Sequence, residues 1–154
     1  MDESVFTSAL YYQDPKAALR WLERAFGFEV TMEIDGPPEA PEMGHYEMSC
    51  QGQGRIMVGA QWNETVSSPA NVGGKNTQSL HVQLPAGIDE HCERARAAGA
   101  TISADPEDQF YGDRTYRAID LEGHQWTFAT RVREVSKAEA EAAIGQPIAA
   151  TDWA

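Results

Sequence analysis

The side chains best suited to acid–base or metal chemistry in this chain are its histidines. His45 and Glu47 lie two residues apart in a segment with strand character, so they share a face and could transfer a proton or bind a metal ion. His81 alternates with apolar neighbours in TQSLHVQLP, which places it on a polar strand face as a candidate general base. His124, within the sequence GHQW, could be a metal ligand, a catalytic base or a turn residue.

Composition limits the class of protein to which these residues belong. The chain has 154 residues, of which 42% are hydrophobic and 23% charged, as expected for one globular domain with a real core. Its apolar runs fall short of the roughly 20 residues that span a bilayer, and the acidic start MDESVF does not resemble a signal peptide, so we expect a cytoplasmic protein. The net charge of −12 disfavours nucleic acid and membranes as partners.

The first half of the sequence predicts one helix among four strands. Asp14 and Pro15 form a helix start, since aspartate caps free N–H groups and proline has none to lose. Apolar residues then recur every three or four positions until Gly27, a typical C-cap. The segments VFTSALYYQD, FEVTMEID, GHYEMSCQ and RIMVGAQW have strand character. The predicted order is β-α-β-β-β.

The second half repeats this plan after a polar linker, residues 63–76. Residues 77–132 again predict a strand, a helix and three strands, and LERA at residues 22–25 corresponds to CERA at residues 92–95. The repeat indicates a duplicated β-α-β-β-β module. Residues 133–154 predict a short helical tail that serves as a surface appendage or a dimer contact.

The stretches YYQDPKAALRWLERAFGFEV and PEDQFYGDRTYRAIDLEGHQW resemble the vicinal oxygen chelate superfamily, which includes glyoxalase I, bleomycin-resistance proteins and extradiol dioxygenases. The resemblance covers residues 4 to 132 and implies a single domain, residues 1–132, with modules at 4–62 and 77–132. It implies an α+β fold in which two tandem β-α-β-β-β modules form a curved mixed sheet around a cavity, with the helices outside. It also implies a homodimer.

The resemblance allows a test for the metal site of the metal-dependent members, whose four ligands come from the first and last strands of each module. It places these positions at Thr7, Val58, Ser79 and Thr127. Hydroxyl groups are poor ligands for zinc, nickel or iron, and valine offers no donor atom. We therefore expect no metal at the usual site and no other cofactor.

Each histidine keeps a structural alternative to its functional interpretation. The resemblance places His124 at the turn into the last strand, where it either bonds local backbone or gates a substrate. His81 either orients a ligand or is a packed histidine with satisfied hydrogen bonds. His45 and Glu47 are either a functional pair or an exposed strand face, and His91 is expected to be exposed on the second helix.

The predicted cavity combines the four strand positions above with nearby polar and aromatic residues. Its lining is predicted to be Thr7, Tyr11, Val58, Trp62, Ser79, His81, Phe110, Tyr111 and Thr127. Trp126 and Phe128 should pack in the core, on the face opposite Thr127. Asp113 and Arg114 are expected to form an exposed ion pair at a turn.

Three functions are consistent with this scaffold. The first is a metal-independent protein that binds a small molecule, sequestering an aromatic or cationic compound. The second is a lyase, isomerase or dioxygenase with a divalent metal relocated to His81, His45 and Glu47, or with His81 as a base. The third is a subunit regulated by a partner through the C-terminal tail.

Overall fold

The computed structural model describes residues 5–154, which form two β-α-β-β-β modules and a C-terminal helix. The elements of module one are β1 Ser8–Tyr12, α1 Pro15–Phe26, β2 Glu29–Ile34, β3 His45–Cys50 and β4 Gln53–Ala60. Those of module two are β5 Leu80–Gln83, α2 Ile88–Ala97, β6 Thr101–Asp108, β7 Asp113–Ile119 and β8 Gln125–Arg131. The C-terminal helix is α3, Lys137–Ile144, and short 3-10 turns lie at Pro41–Met43 and Pro69–Asn71.

Each module forms its own four-stranded mixed sheet. The strand orders are β1-β4-β3-β2 and β5-β8-β7-β6, and in each sheet the first and last strands of the module pair in parallel. The remaining pairs are antiparallel. The predicted α+β fold of two modules is confirmed, with its strands divided between two sheets instead of forming one continuous sheet.

Local sequence signals account for the first helix. The Asp14 side chain accepts a hydrogen bond from the backbone N–H of Ala17 at 3.0 Å, and Pro15 occupies the first helical position. Gly27 ends the helix in the left-handed conformation, with φ of 71°. Leu19 and Leu22 lie on the buried stripe, which packs against the sheets.

The two modules share one aromatic core. Phe26 and Phe28 of module one pack against Trp126 and Phe128 of module two, with ring centroids 4.7 Å apart for Phe26 and Phe128 and 5.4 Å apart for Phe28 and Trp126. The helices lie side by side, and the Trp21 indole N–H donates to the carbonyl of Ala98 at 2.8 Å. Neither module therefore buries its apolar face alone.

The C-terminal tail folds back on itself. Ser136 and Glu139 form a capping box at the start of α3, and the Trp153 indole donates to the carbonyl of Val135 at 2.9 Å. The backbone N–H of Lys137 bonds the carbonyl of Ala154 at 2.8 Å. No helix within residues 5–154 is long and apolar enough to cross a membrane.

Candidate functional site

A cavity of about 630 Å³ lies between the two sheets, bounded by the turn end of β3 and β4 in module one and by β5 in module two. We call it the intermodule cavity. Its floor is apolar and includes Phe28, Met48, Ile56, Val82 and Trp126. Phe28, Met48 and Trp126 belong to the buried core, so the cavity opens directly onto the contact between the modules.

A few polar side chains line the wall of the intermodule cavity: Ser8, Ser49, Arg55, His81 and Gln83. A His81 ring nitrogen lies 3.4 Å from the Gln83 side-chain oxygen. The Ser8 hydroxyl is buried and has no hydrogen-bond partner among the described residues. An apolar floor with a small number of polar groups is the usual form of a small-molecule site.

Cys50 adds a free thiol to the same wall. The residue is half-buried, and burial, aided by the negative charge of Glu29, raises the pKa of its thiol above the usual range. A thiol is nucleophilic as the thiolate, which this environment disfavours. It therefore contributes packing surface to the cavity.

Of the residues predicted to line a cavity, His81 lines this one. Two others, Tyr11 and Thr127, lie on the open faces of the sheets. We use this term for the faces that point away from α1 and α2. Tyr11 is half-buried beside Gly59, while Thr127 is the register partner of His81. The remaining predicted residues lie in the segments that precede or follow strands: Thr7, Trp62, Ser79, Phe110 and Tyr111.

The prediction for Val58 requires a correction. Val58 is 1% exposed and belongs to the core, where it pairs in register with buried Leu10. Strand side chains alternate between faces, so the positions on the open face are Met57 and Gly59. The prediction was one residue out of register, because the sequence RIMVGAQW has apolar or small residues on both faces.

The side chains at the family's ligand positions do not fit a divalent metal. The corrected register replaces Val58 with Met57 or Gly59, and the other three positions carry hydroxyl groups at Thr7, Ser79 and Thr127. None of these is an imidazole or a carboxylate, the donors that zinc, nickel and iron prefer. We therefore route no chemistry through a metal at these positions.

His45, Glu47 and His81 do not form a metal site in the described chain. One His45 ring nitrogen lies 3.0 Å from a Glu47 carboxylate oxygen, and the Arg55 guanidinium lies 3.7 Å from the other oxygen. His81 belongs to the other sheet. Within residues 5–154 no three histidine, cysteine, aspartate or glutamate side chains lie close enough to hold an ion together. Arg55 and Glu47 form an ion pair on the open face, and His45 lies within hydrogen-bond distance of the same carboxylate.

His124 is a turn residue that also connects the two modules. Its backbone N–H donates to the Asp120 carboxylate at 3.0 Å, and its ring donates to the carbonyl of Tyr11 at 2.8 Å. Asp120 also accepts from the buried hydroxyl of Tyr12 at 2.6 Å. The acceptor for the ring is thus in β1 of module one, not in local backbone as the sequence suggested. Only the topology brings these distant residues together.

His91 was predicted to be exposed, and this prediction was wrong. The His91 ring is half-buried, 4.5 Å from the ring of Phe128, and donates to the carbonyl of Phe26 at 2.9 Å. Its other ring nitrogen accepts from the Tyr116 hydroxyl at 2.7 Å. Burial lowers the pKa of His91. The sequence shows only that the helix carries a histidine and does not show that another module covers it.

The predicted exposed pair of Asp113 and Arg114 does not form. Asp113 is 5% exposed and pairs with Arg131, its register partner on the neighbouring strand β8. Arg114 instead binds Asp89 and Asp108, each at 2.9 Å. Adjacent residues in a strand point to opposite faces, so they meet different partners. The strand begins at Asp113, so both residues belong to β7 and not to the preceding turn, as the sequence had suggested.

Comparison with known proteins assigns the family. The Glyoxalase/Bleomycin resistance protein/Dioxygenase superfamily profile matches residues 5–128. The chain therefore belongs to that superfamily, as the resemblance in its sequence indicated. Proteins of this superfamily commonly bind small molecules and form oligomers.

Solved structures with the same fold include TioX from Micromonospora sp. ML1, which is 31% identical to this chain with a TM-score of 0.60. The alignment covers 84% of this chain and 100% of TioX. A superfamily member from Sphaerobacter thermophilus is 20% identical, with a TM-score of 0.61 and coverage of 84% and 98%. The second similarity shows the fold alone.

Curated relatives occur in mycobacteria. Uncharacterized proteins of Mycobacterium bovis and Mycobacterium tuberculosis are 36% identical to this chain over 77 residues, which is 50% of the chain. The matched region covers 49% of the first protein and 44% of the second. The chain thus spans about half the length of the curated relatives that it matches.

Proposed function

We propose that this protein binds an aromatic small molecule in the intermodule cavity and that binding requires no metal ion. The cavity itself is the observation that carries this proposal, since its volume of about 630 Å³ suits a compound of drug size. The partly buried side chains of Ile56 and Val82 supply apolar contact surface in the floor, which borders the core rings of Phe28 and Trp126. His81 and Gln83 supply polar contacts on the wall.

Two features support binding without a metal. The positions that hold the metal in related enzymes carry hydroxyl or apolar side chains, and the acidic residues of the open faces already pair with nearby cations. Arg55 lies 3.7 Å from Glu47, and Arg131 pairs with Asp113. A stoichiometric metal in protein purified without chelators would contradict this part of the proposal and favour an enzyme of the same fold.

The charge of the protein favours cationic ligands among aromatic compounds. A net charge of −12 produces a negative potential around the molecule, which raises the local concentration of cations. This contribution acts at long range and is screened by salt, whereas burial of an aromatic ring in the cavity is not. Raising the ionic strength should therefore weaken binding of a cationic aromatic compound more than binding of a neutral one.

A cavity-filling substitution tests the location of the site. Ile56 forms part of the cavity floor, so Ile56→Trp should occupy the volume and abolish binding of aromatic compounds found in a thermal-shift panel. The control Ile144→Trp adds the same side chain at an exposed position on α3 and should leave binding unchanged. Isothermal titration calorimetry on both variants measures the affinity.

Two results of that experiment would count against the proposal. Binding that survives Ile56→Trp would show that the ligand uses another surface, such as the open faces of the sheets. A panel of aromatic compounds in which none binds the unmodified protein would contradict small-molecule binding itself.

We also propose that the protein is a homodimer. Met32 and Ile34, both on β2 at the edge of the first sheet, are 41% and 54% exposed. They pair in register with Glu47 and His45, so apolar and polar groups adjoin on this face. Exposed apolar side chains on an edge strand are a common feature of protein interfaces.

A further inference from the structure

The lining of the intermodule cavity differs in charge from the molecule as a whole. The chain has 24 aspartate and glutamate residues, but among the described residues none of these side chains lines the cavity. Glu29 lies close to Cys50 of the wall, and Glu47 lies close to Arg55, without either carboxylate lining the cavity itself. Arg55 does line it, and a guanidinium is always charged. The permanent charge in the described lining is thus positive.

Arg55 has unused capacity for hydrogen bonds. Its guanidinium carries five N–H donors but forms no hydrogen bond with any described residue. Its ion pair with Glu47 spans 3.7 Å, which is too long for a hydrogen bond. Arg20, by contrast, donates to the Glu33 carboxylate at 2.7 Å. The donors of Arg55 are therefore available to a ligand.

The position of Arg55 in the strand puts its charge next to the apolar floor. Arg55 directly precedes Ile56 on β4, and the pairing of β1 with β4 begins at Ile56. Arg55 therefore lies beyond the start of β1, and its side chain is 45% exposed. A compound that contacts Ile56 with an apolar ring can present a polar substituent to this next residue of the strand.

A carboxylate is the substituent that best matches a guanidinium, because its two oxygens can accept two parallel N–H bonds in one plane. A neutral oxygen forms a weaker bond, and a cation at this position would be repelled by Arg55. The negative potential of the whole protein opposes an anion at long range, where salt screens it. A contact at hydrogen-bond distance in a partly buried site is screened less.

We infer that the ligand of the intermodule cavity is an aromatic carboxylate, whose ring lies on the apolar floor and whose carboxylate is bound by the Arg55 guanidinium. The inference rests on the proposed function and narrows its ligand class. A cationic group, which the net charge favours, is then a second substituent that lies away from Arg55. Glu47 competes with the ligand, because its carboxylate lies near the same guanidinium.

Two ligands that differ in charge but hardly in shape test this inference. 2-Naphthoate and 2-naphthamide share the fused rings and a planar head group, and calorimetric titration at neutral pH gives the affinity of each. The unmodified protein should prefer 2-naphthoate. Arg55→Gln should lower the affinity for 2-naphthoate about tenfold, the usual effect of losing a hydrogen bond between charged groups, without weakening 2-naphthamide binding.

The chain offers a matched control in Arg133, which is exposed and does not line the intermodule cavity. Arg133→Gln changes the net charge by the same amount and should leave the affinities for both compounds unchanged. Glu47→Gln removes the competing carboxylate and should raise the affinity for 2-naphthoate by up to about fivefold. A misfolded variant could not produce this gain, so it provides a second test should Arg55→Gln fail to fold.

The outcomes separate the inference from the proposed function. Unchanged 2-naphthoate binding in Arg55→Gln, an equal loss of both ligands in that variant, the same loss in Arg133→Gln, or no gain in Glu47→Gln would overturn the role of Arg55. Binding of 2-naphthamide as tight as that of 2-naphthoate would retain the site and reject the carboxylate class. Failure of both compounds and of the wider aromatic panel to bind the unmodified protein would contradict the proposed function.

Discussion

His91 is a half-buried titratable group that lies where the two modules meet. The carbonyl of Phe26 from α1 and the hydroxyl of Tyr116 from β7 bond its two ring nitrogens, and Phe128 from β8 packs on its ring. The charged group that acts on it is Arg94 on its own helix, and burial is the larger cause of its lowered pKa. The protonated imidazolium is therefore disfavoured in the folded protein.

This arrangement predicts how stability depends on pH. The unfolded chain takes up a proton on His91 below about pH 6.5, whereas the folded protein resists it to lower pH, so the free energy of unfolding falls as the pH drops below about 6.5. Urea unfolding at pH 7.5 and pH 5.5 measures this change. His91→Phe removes the titrating group and should reduce the loss of stability between the two pH values.

The control for that experiment is His81→Gln, since His81 is exposed on β5. This variant should lose stability on acidification as the unmodified protein does. An identical pH dependence in His91→Phe and the unmodified protein would show that other groups dominate acid destabilisation.

At the residue scale, the face of the strand on which a side chain lies could be predicted where apolar and polar residues alternate clearly. Leu80 and Val82 flank His81, so its place on the polar face of the strand was predictable, as was burial of Trp126 and Phe128 on either side of Thr127. Val58 and His91 were placed incorrectly for different reasons. The β4 sequence is apolar on both faces, and the cover over His91 comes from α1 and from β8, far away in the chain.

At the element scale, the start of α1 depends on a side chain from the other module. The Glu122 carboxylate accepts from the backbone N–H groups of Gln13 at 2.6 Å and Asp14 at 3.1 Å, and from the Ser68 hydroxyl at 2.6 Å. A carboxylate at the N-terminus of a helix bonds free donors and interacts favourably with the helix dipole. Glu122 thus connects α1, the linker and the turn before β8.

We predict that Glu122→Ala lowers the free energy of unfolding by about 1–3 kcal/mol, because three donors lose a charged acceptor. Denaturant titration followed by circular dichroism measures the loss. Glu134→Ala removes a carboxylate that is 91% exposed and should change stability by less than about 0.5 kcal/mol. Equal stability of the two variants would contradict a role for Glu122 at the helix start.

Most elements could be predicted from the sequence because their signals are local. Asp14, Pro15 and Gly27 define α1 through capping chemistry that involves only neighbouring residues. The division into two sheets could not be predicted, since the sequence does not show whether the edge strands of the two modules pair with each other. The intermodule cavity follows from that division, which explains why most residues predicted to line a cavity lie elsewhere.

For the whole molecule, the proposed dimer gives a direct test. Ile34→Glu places a charge on the exposed edge strand of an already acidic protein, so it should convert the dimer to a monomer through desolvation cost and charge repulsion. Light scattering coupled to size-exclusion chromatography measures the mass. Val72→Glu introduces the same charge at another exposed β-branched residue and should leave the mass unchanged.

Two outcomes would argue against this interface. A monomeric unmodified protein would reject the dimer, and a dimeric Ile34→Glu variant would place the interface on a different surface. Neither result would bear on the intermodule cavity, because the residues that line it are in one chain.

The sharing of Phe28 and Trp126 between the cavity floor and the aromatic core has a thermodynamic consequence. The cavity is lined by both modules, so a compound in it binds only while the modules are joined, and binding and module association are a single linked equilibrium. At a concentration one hundred times its dissociation constant, such a compound adds about 2.7 kcal/mol to the free energy of unfolding. The cellular lifetime of the protein would then rise with the abundance of its ligand, which makes the ligand a determinant of how much protein persists.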